Sequence, residues 1–102
     1  MKIKLSFGEY DCTLTKHQYE NGRVALCLNE TDTGEPFCVA SVNIPEFNLR
    51  SNQVLIKNWS ENEGVLESLV EARVIEDTGE QVNAGFVYAN LCYLLPEEWW
   101  AK

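Results

Sequence analysis

His17-Gln18-Tyr19-Glu20-Asn21-Gly22-Arg23-Val24-Ala25-Leu26 is the stretch on which the fold turns. Asn-Gly is the strongest short hairpin signal, because both residues tolerate positive φ. A two-residue turn at Asn21-Gly22 pairs Glu20 with Arg23 and sets His17 opposite Leu26. Upstream, Ile3, Leu5 and Phe7 alternate with Lys2, Lys4 and Ser6, the period of a half-buried strand. Gly8-Glu9 fits a second two-residue turn with glycine first. That register pairs Phe7 with Tyr10, Leu5 with Cys12 and Ile3 with Leu14 on one face, so Cys12 is expected in the core. Downstream, Asp32-Thr33-Gly34 marks a third turn into Pro36-Phe37-Cys38-Val39-Ala40-Ser41-Val42. Four strands joined by short turns predict an antiparallel meander.

Pro45 and Asn48-Leu49-Arg50-Ser51-Asn52 end the meander as a connecting loop, and Val54-Leu55-Ile56 predicts a short buried strand. Ser60-Glu61-Asn62-Glu63 has the form of a capping box, with Ser60 on the Glu63 N–H and Glu63 reaching back. Val65, Leu66, Leu69 and Val70 follow at helical spacing, and Trp59 before the cap fits a hydrophobic staple. Val74-Ile75 then predicts a strand, Asp77-Thr78-Gly79-Glu80 a turn, and Phe86 to Leu95 a central strand that Pro96 stops. The expectation is one α+β domain over 1–102, a mostly antiparallel sheet with its N-terminal meander and one main helix packed on a face.

The chain has 102 residues, 45% of them hydrophobic, which is too apolar for intrinsic disorder and long enough for one core. Its net charge of −8 is unevenly spread. Residues 1–57 are nearly balanced, whereas every charged residue in 58–98 is acidic except Arg73. Such a surface repels nucleic-acid backbones and suits a partner with a basic groove. No apolar run has the length of a secretory h-region or a membrane helix. The expectation is therefore a cytoplasmic protein without membrane contact, whose Cys12, Cys27, Cys38 and Cys92 are reduced.

Catalytic signals are thin. His17 is the only histidine, and neither G-x-S-x-G, G-x-G-x-x-G, a P-loop nor H-E-x-x-H occurs, so no enzyme is expected. The cysteines form no C-x-x-C pair. If Thr31-Asp32-Thr33-Gly34 is a four-residue loop, Cys27 falls opposite Cys38; if the loop is Asp32-Thr33-Gly34, the two lie on opposite faces. Cys12 sits about 13 Å along the strands from Cys27, too far for a third ligand. Buried thiols acting as small hydrophobes are expected and no cofactor, with zinc on Cys27 and Cys38 the alternative.

Glu63, Glu67 and Glu71, at i, i+4 and i+8, form one helical stripe away from the apolar one, with Arg73 alone nearby to relieve their repulsion. Glu76, Asp77 and Glu80 extend the same sign. Trp99-Trp100 beside Glu97-Glu98 add aromatic anchors of the kind enriched at binding hot spots. Together these residues are the candidate partner-binding surface, against the plainer reading of a solubilising face and an aromatic pair folded over a sheet edge.

Ile56-Lys57-Asn58-Trp59-Ser60-Glu61-Asn62-Glu63-Gly64-Val65-Leu66-Glu67-Ser68-Leu69 resembles a segment in a family of small proteins encoded on bacteriophages and conjugative elements, in which tyrosine or tryptophan precedes Ser-Glu-Asn-Glu-Gly. Thr33-Gly34-Glu35-Pro36 and Gly85-Phe86-Val87 share the likeness, which spans about Tyr19 to Cys92. The resemblance brings no catalytic residues. It implies a context in which small acidic proteins act as inhibitors of host defence, anti-CRISPR or antirestriction proteins, in the bacterial cytoplasm. The expected function is thus a stoichiometric inhibitor of a host defence protein, a CRISPR effector nuclease above all. The alternatives are a self-associating structural or regulatory accessory protein and a small cysteine-based metal module.

Overall fold

Alternating apolar residues form the expected meander in the computed structural model, which describes residues 1–99. Strands β1 (Lys2–Leu5), β2 (Gly8–Gln18), β3 (Val24–Glu30) and β4 (Pro36–Val39) pair in that order as one antiparallel sheet. A second sheet holds β5 (Gln53–Ile56), β6 (Ile75–Asn83) and β7 (Tyr88–Leu94), with β7 in the centre. Helix α1 (Val65–Glu71) lies between β5 and β6 in the chain. The class is α+β, with two sheets where one was expected. They are stitched together by a bridge between Ser41 and Ile56 and by Val42 N–H to the Leu55 carbonyl (3.0 Å) and Lys57 N–H to the Ala40 carbonyl (2.8 Å).

The turns depart from their local signals for tertiary reasons. In the first hairpin Leu5 pairs with Gly8, so Ser6-Phe7 make the turn rather than Gly8-Glu9. Ser6 N–H is held by the Glu63 carbonyl at 3.2 Å, and the chain there crosses Gly64 so closely that a Cβ on Gly64 would lie 2.1 Å from the Lys4 oxygen. Ile3 consequently faces Tyr10 instead of Leu14. Because the slip is even, side chains keep their faces, and Cys12 is fully buried as expected. In the second hairpin Gln18 pairs with Val24, leaving Glu20-Asn21-Gly22 as a three-residue loop with Gly22 at φ 84°. A two-residue turn would have set Leu14 opposite Asn29; the observed register sets Leu14 opposite Leu28 and His17 opposite Ala25. Matching the apolar faces outweighs the preference for a tight Asn-Gly turn.

Two later expectations are also corrected. Asp77-Thr78-Gly79-Glu80 does not reverse the chain: β6 runs through it with a register shift between Asp77 and Gln81. Reversal comes at Ala84–Val87, closed by Ala84 N–H to the Val87 carbonyl (2.8 Å), and this leaves Phe86 fully exposed at the tip. Nor does Ser60 cap the helix. It sits at φ 57° in a 3-10 turn, Ser60–Asn62, and α1 begins only at Val65 without a side-chain cap from its own N-cap residue, Gly64. The orphan donors at this end go instead to Asn58 Oδ1, which accepts from Gly64 N–H (3.1 Å) and Leu66 N–H (3.0 Å).

One apolar cluster joins both sheets and the helix, built on Ile3, Leu26, Leu28, Val54, Ile56, Val65, Leu69 and Ile75. The other face of the second sheet carries a smaller cluster, Leu55, Ala89 and Leu91. The loop residues Val42, Ile44, Phe47 and Leu49, together with Trp59, cover it. Trp59 thus packs into a core, though not as a staple on α1.

Candidate functional site

The segment most distinctive in sequence, Ile56 to Gly64, is a structural junction. Lys57 Nζ reaches Glu61 Oε1 at 2.6 Å, and that hydrogen bond is the main cause holding the Glu61 carboxyl down at about 2. Asn58 caps α1. Asn62, 1% exposed, donates from Nδ2 to the Val39 carbonyl at 2.8 Å and so covers the free side of β4. Gly64 admits the close pass of β1. The side chain of Glu63 points out to solvent while its carbonyl serves the first turn.

Glu63 therefore stands before the helix, and the expected three-glutamate stripe reduces to Glu67 and Glu71 on α1. That flank is not purely anionic. Glu71 shares a shallow groove with Lys2 and Lys4 of β1, while Glu63 and Glu67 share the next one with Lys4. Cations from the balanced N-terminal region thus dilute the acids of the later one.

Glu76 and Asp77 are placed differently. They leave α1 on the far side, at the start of β6. There α1 ends in a Schellman motif, with Val74 N–H on the Leu69 carbonyl (3.0 Å) and Arg73 N–H on that of Val70 (3.1 Å). Arg73 takes the left-handed position, φ 62°, that glycine usually fills. This sharp exit brings Val70, Arg73, Ile75, Glu76, Asp77, Leu95 and Trp99 around a groove of about 390 Å³. Trp99 is 50% exposed and Val70 41%. Glu80 lies farther along, in the irregular part of β6, and Trp100 falls outside the described residues. Among the described residues no cation forms an ion pair with Glu63, Glu67, Glu71, Glu76, Asp77 or Glu80; the bridges present are Met1–Asp11, Lys2–Glu9, Lys16–Glu97 and Lys57–Glu61. The sequence marks the acids and Trp99, and Arg73 as the cation near the helical glutamates, but does not place Val70, Leu95 and Arg73 together with them in one groove. Val70, at the margin of the helical apolar stripe, carried the one readable hint.

The cysteines are separated by a bulge. Thr31–Gly34 does form the four-residue loop, with Glu30 N–H on the Glu35 carbonyl (2.8 Å). The register then shifts between Leu28 and Asn29, so that Leu28 meets Cys38 and Cys27 meets Val39. Alternation sends Cys27 to the outer face and Cys38 to the core face, and among the described residues no group of three His, Cys, Asp or Glu side chains is placed to hold a metal. Burial pushes the Cys38 thiol up to about 11 and that of Cys92 to about 12, the latter helped by Asp77 across the strand pair. Cys12 is raised by burial as well. His17 is exposed on the outer face, its Nε2 3.1 Å from Thr15 Oγ1, which also accepts from Asn29 Nδ2 at 3.0 Å. This is a polar cross-strand ladder.

Among the described residues no helix is long and apolar enough to cross a membrane. No protein-family model, curated protein or solved structure matches the chain.

Proposed function

We propose that this chain is a protein-binding inhibitor that docks an acidic, tryptophan-bearing surface onto a basic surface of a bacterial defence nuclease, a CRISPR effector in the first place. One observation carries the reading: Trp99 stands half exposed at a groove that Val70 and Leu95 line together with Glu76, Asp77 and Arg73. An aromatic anchor beside apolar side chains, with two carboxylates and one guanidinium around it, has the make-up of a binding hot spot rather than of a solubilising face. The choice of partner rests on charge complementarity and on the resemblance to phage and conjugative-element proteins.

The test is inhibition of guide-directed DNA cleavage by a panel of purified effector nucleases. Wild-type chain is expected to block at least one of them near stoichiometric amounts. Trp99→Ala should weaken that block by about tenfold or more, the loss of one hot-spot residue. Glu76→Lys with Asp77→Lys should weaken it further and flatten its salt dependence, while Glu67→Lys with Glu71→Lys should matter less. Failure to inhibit or bind any member of the panel would sink the nuclease reading. Inhibition that survives the groove variants but is lost in the helix variants would move the surface to α1.

A further inference from the structure

The two open sheets have β1, β4, β5 and β6 at their edges, and most of these are closed. Beside β1, Lys4 N–H donates to Ser68 Oγ of α1 at 2.8 Å and Ser6 N–H to the Glu63 carbonyl. Beside β4, Asn62 Nδ2 and Lys57 N–H take the Val39 and Ala40 carbonyls. Beside β5, Val42 and Ser41 continue the ladder. Among the described residues, strand β6 pairs with β7 alone. Leu95 N–H on the Val74 carbonyl and Ala84 N–H on that of Val87 set the alternation of inward and outward peptide groups. By that alternation the N–H and C=O of Asp77, Gln81 and Asn83 point away from β7, on a side where no strand lies among the described residues.

We propose that this outer edge of β6 takes an extended, basic segment of a partner protein as an added strand, with an apolar side chain of that segment seated between Val70, Leu95 and Trp99. The inference rests on the protein-binding reading above and specifies its mode. Main-chain groups along the edge supply affinity, and the groove at its start supplies a side-chain pocket, the two parts of strand addition. Charge selects the occupant. Glu76, Asp77 and Glu80 are exposed along the edge and form no ion pair among the described residues, Arg73 being the cation that lines the groove beside Glu76 and Asp77. A Lys- or Arg-bearing strand is therefore complementary to it. A second copy of this chain is a poor occupant, because β6 against β6 would set these carboxylates against one another.

The experiment uses the whole chain, nitrogen-15 labelled, titrated with a short peptide alternating lysine with valine and with the same peptide methylated on every backbone nitrogen. The methylated form keeps the charge and the side chains but has no main-chain N–H for the edge. Expected are shifts at the amides of Asp77, Gln81 and Asn83 and at the Trp99 indole, with about tenfold or greater loss of affinity on methylation, the scale of a few lost hydrogen bonds. Equal affinity of the two peptides, shifts centred on Glu67 and Glu71, or no binding at all would overturn strand addition. Nuclease inhibition is read separately. A chain that inhibits without binding the peptide keeps the function and loses this mode; one that binds the peptide and inhibits nothing keeps the mode and loses the nuclease.

Discussion

Asn58 and Ser60 exchange the roles that local sequence assigns them. Ser60-x-x-Glu63 satisfies the capping-box pattern, yet Ser60 is held at φ 57° in a 3-10 turn and the amide of Asn58 reaches over that turn to the helix start. The reason is the junction itself: Gly64 must lie against the Lys4 carbonyl, and this delays the helix until the box has been passed. A seven-residue helix is marginal on its own, so its cap matters. Asn58→Ala is expected to lower unfolding free energy by about 1 kcal/mol, the usual worth of a lost cap, and Ser60→Ala by less than half of that. Urea denaturation followed by circular dichroism measures both. The reverse order would restore Ser60 as the cap. Arg73 shows the same limit of local reading: nothing in Glu71-Ala72-Arg73-Val74 announces a left-handed residue, because the conformation is set by the turn into β6.

At the scale of elements, strand identities and the pairing order of the meander are legible, and most registers are not. Alternation marked β1 and β2, and apolar runs marked β3, β5 and most of β7, because period-two burial is written residue by residue. Registers depend on partners the local signal does not see. Leu14 had to meet Leu28, Phe37 had to be passed over by a bulge, and β1 had to turn where Gly64 allowed. The loop after β4 is the sharpest case. In sequence it is a polar connector, whereas in the fold Arg23 holds it down: Nη1 donates to the Ile44 carbonyl at 2.7 Å and Nη2 to the Phe47 carbonyl, while Asn21 Nδ2 reaches Asn43 Oδ1 at 3.2 Å. Through that clamp the β2–β3 loop positions the lid over Leu55, Ala89 and Leu91. Arg23→Ala should cost about 1.5–3 kcal/mol, the range for hydrogen bonds to a charged group. It should also expose the loop to limited proteolysis between Ile44 and Arg50 before global unfolding. Arg23→Lys keeps one charged donor in place of the fork and should fall between. Cleavage rates equal to wild type would mean that apolar packing alone holds the loop.

For the whole molecule the split into a neutral first half and an acidic second half does not survive folding. Strand β1 brings Lys2 and Lys4 beside α1, and Lys16 pairs with Glu97 at 3.6 Å, so cations from the first half are spread over acids of the second. On the β6 side Arg73 is the one cation lining the groove with Glu76 and Asp77 among the described residues, and within the candidate set the weight of the proposed surface moves to Glu76, Asp77 and Trp99. No single-sequence pattern shows that movement, since it follows from which strand lies next to the helix. Each ion pair among the described residues has at least one exposed partner, and such pairs contribute little to stability. Against them stands the self-repulsion of a chain with net charge −8. Salt weakens both, and the repulsion acts over the longer range: the Debye length falls from about 30 Å to about 8 Å between 0.01 and 0.15 M. Thermal unfolding should therefore move up by a few degrees as sodium chloride is raised over that interval, equally with potassium chloride. Glu76→Gln with Asp77→Gln, which leaves every ion pair intact, should raise the low-salt midpoint and shrink this salt response. A midpoint that falls with salt would mean that the ion pairs govern stability and that the β6 carboxylates do not strain the fold.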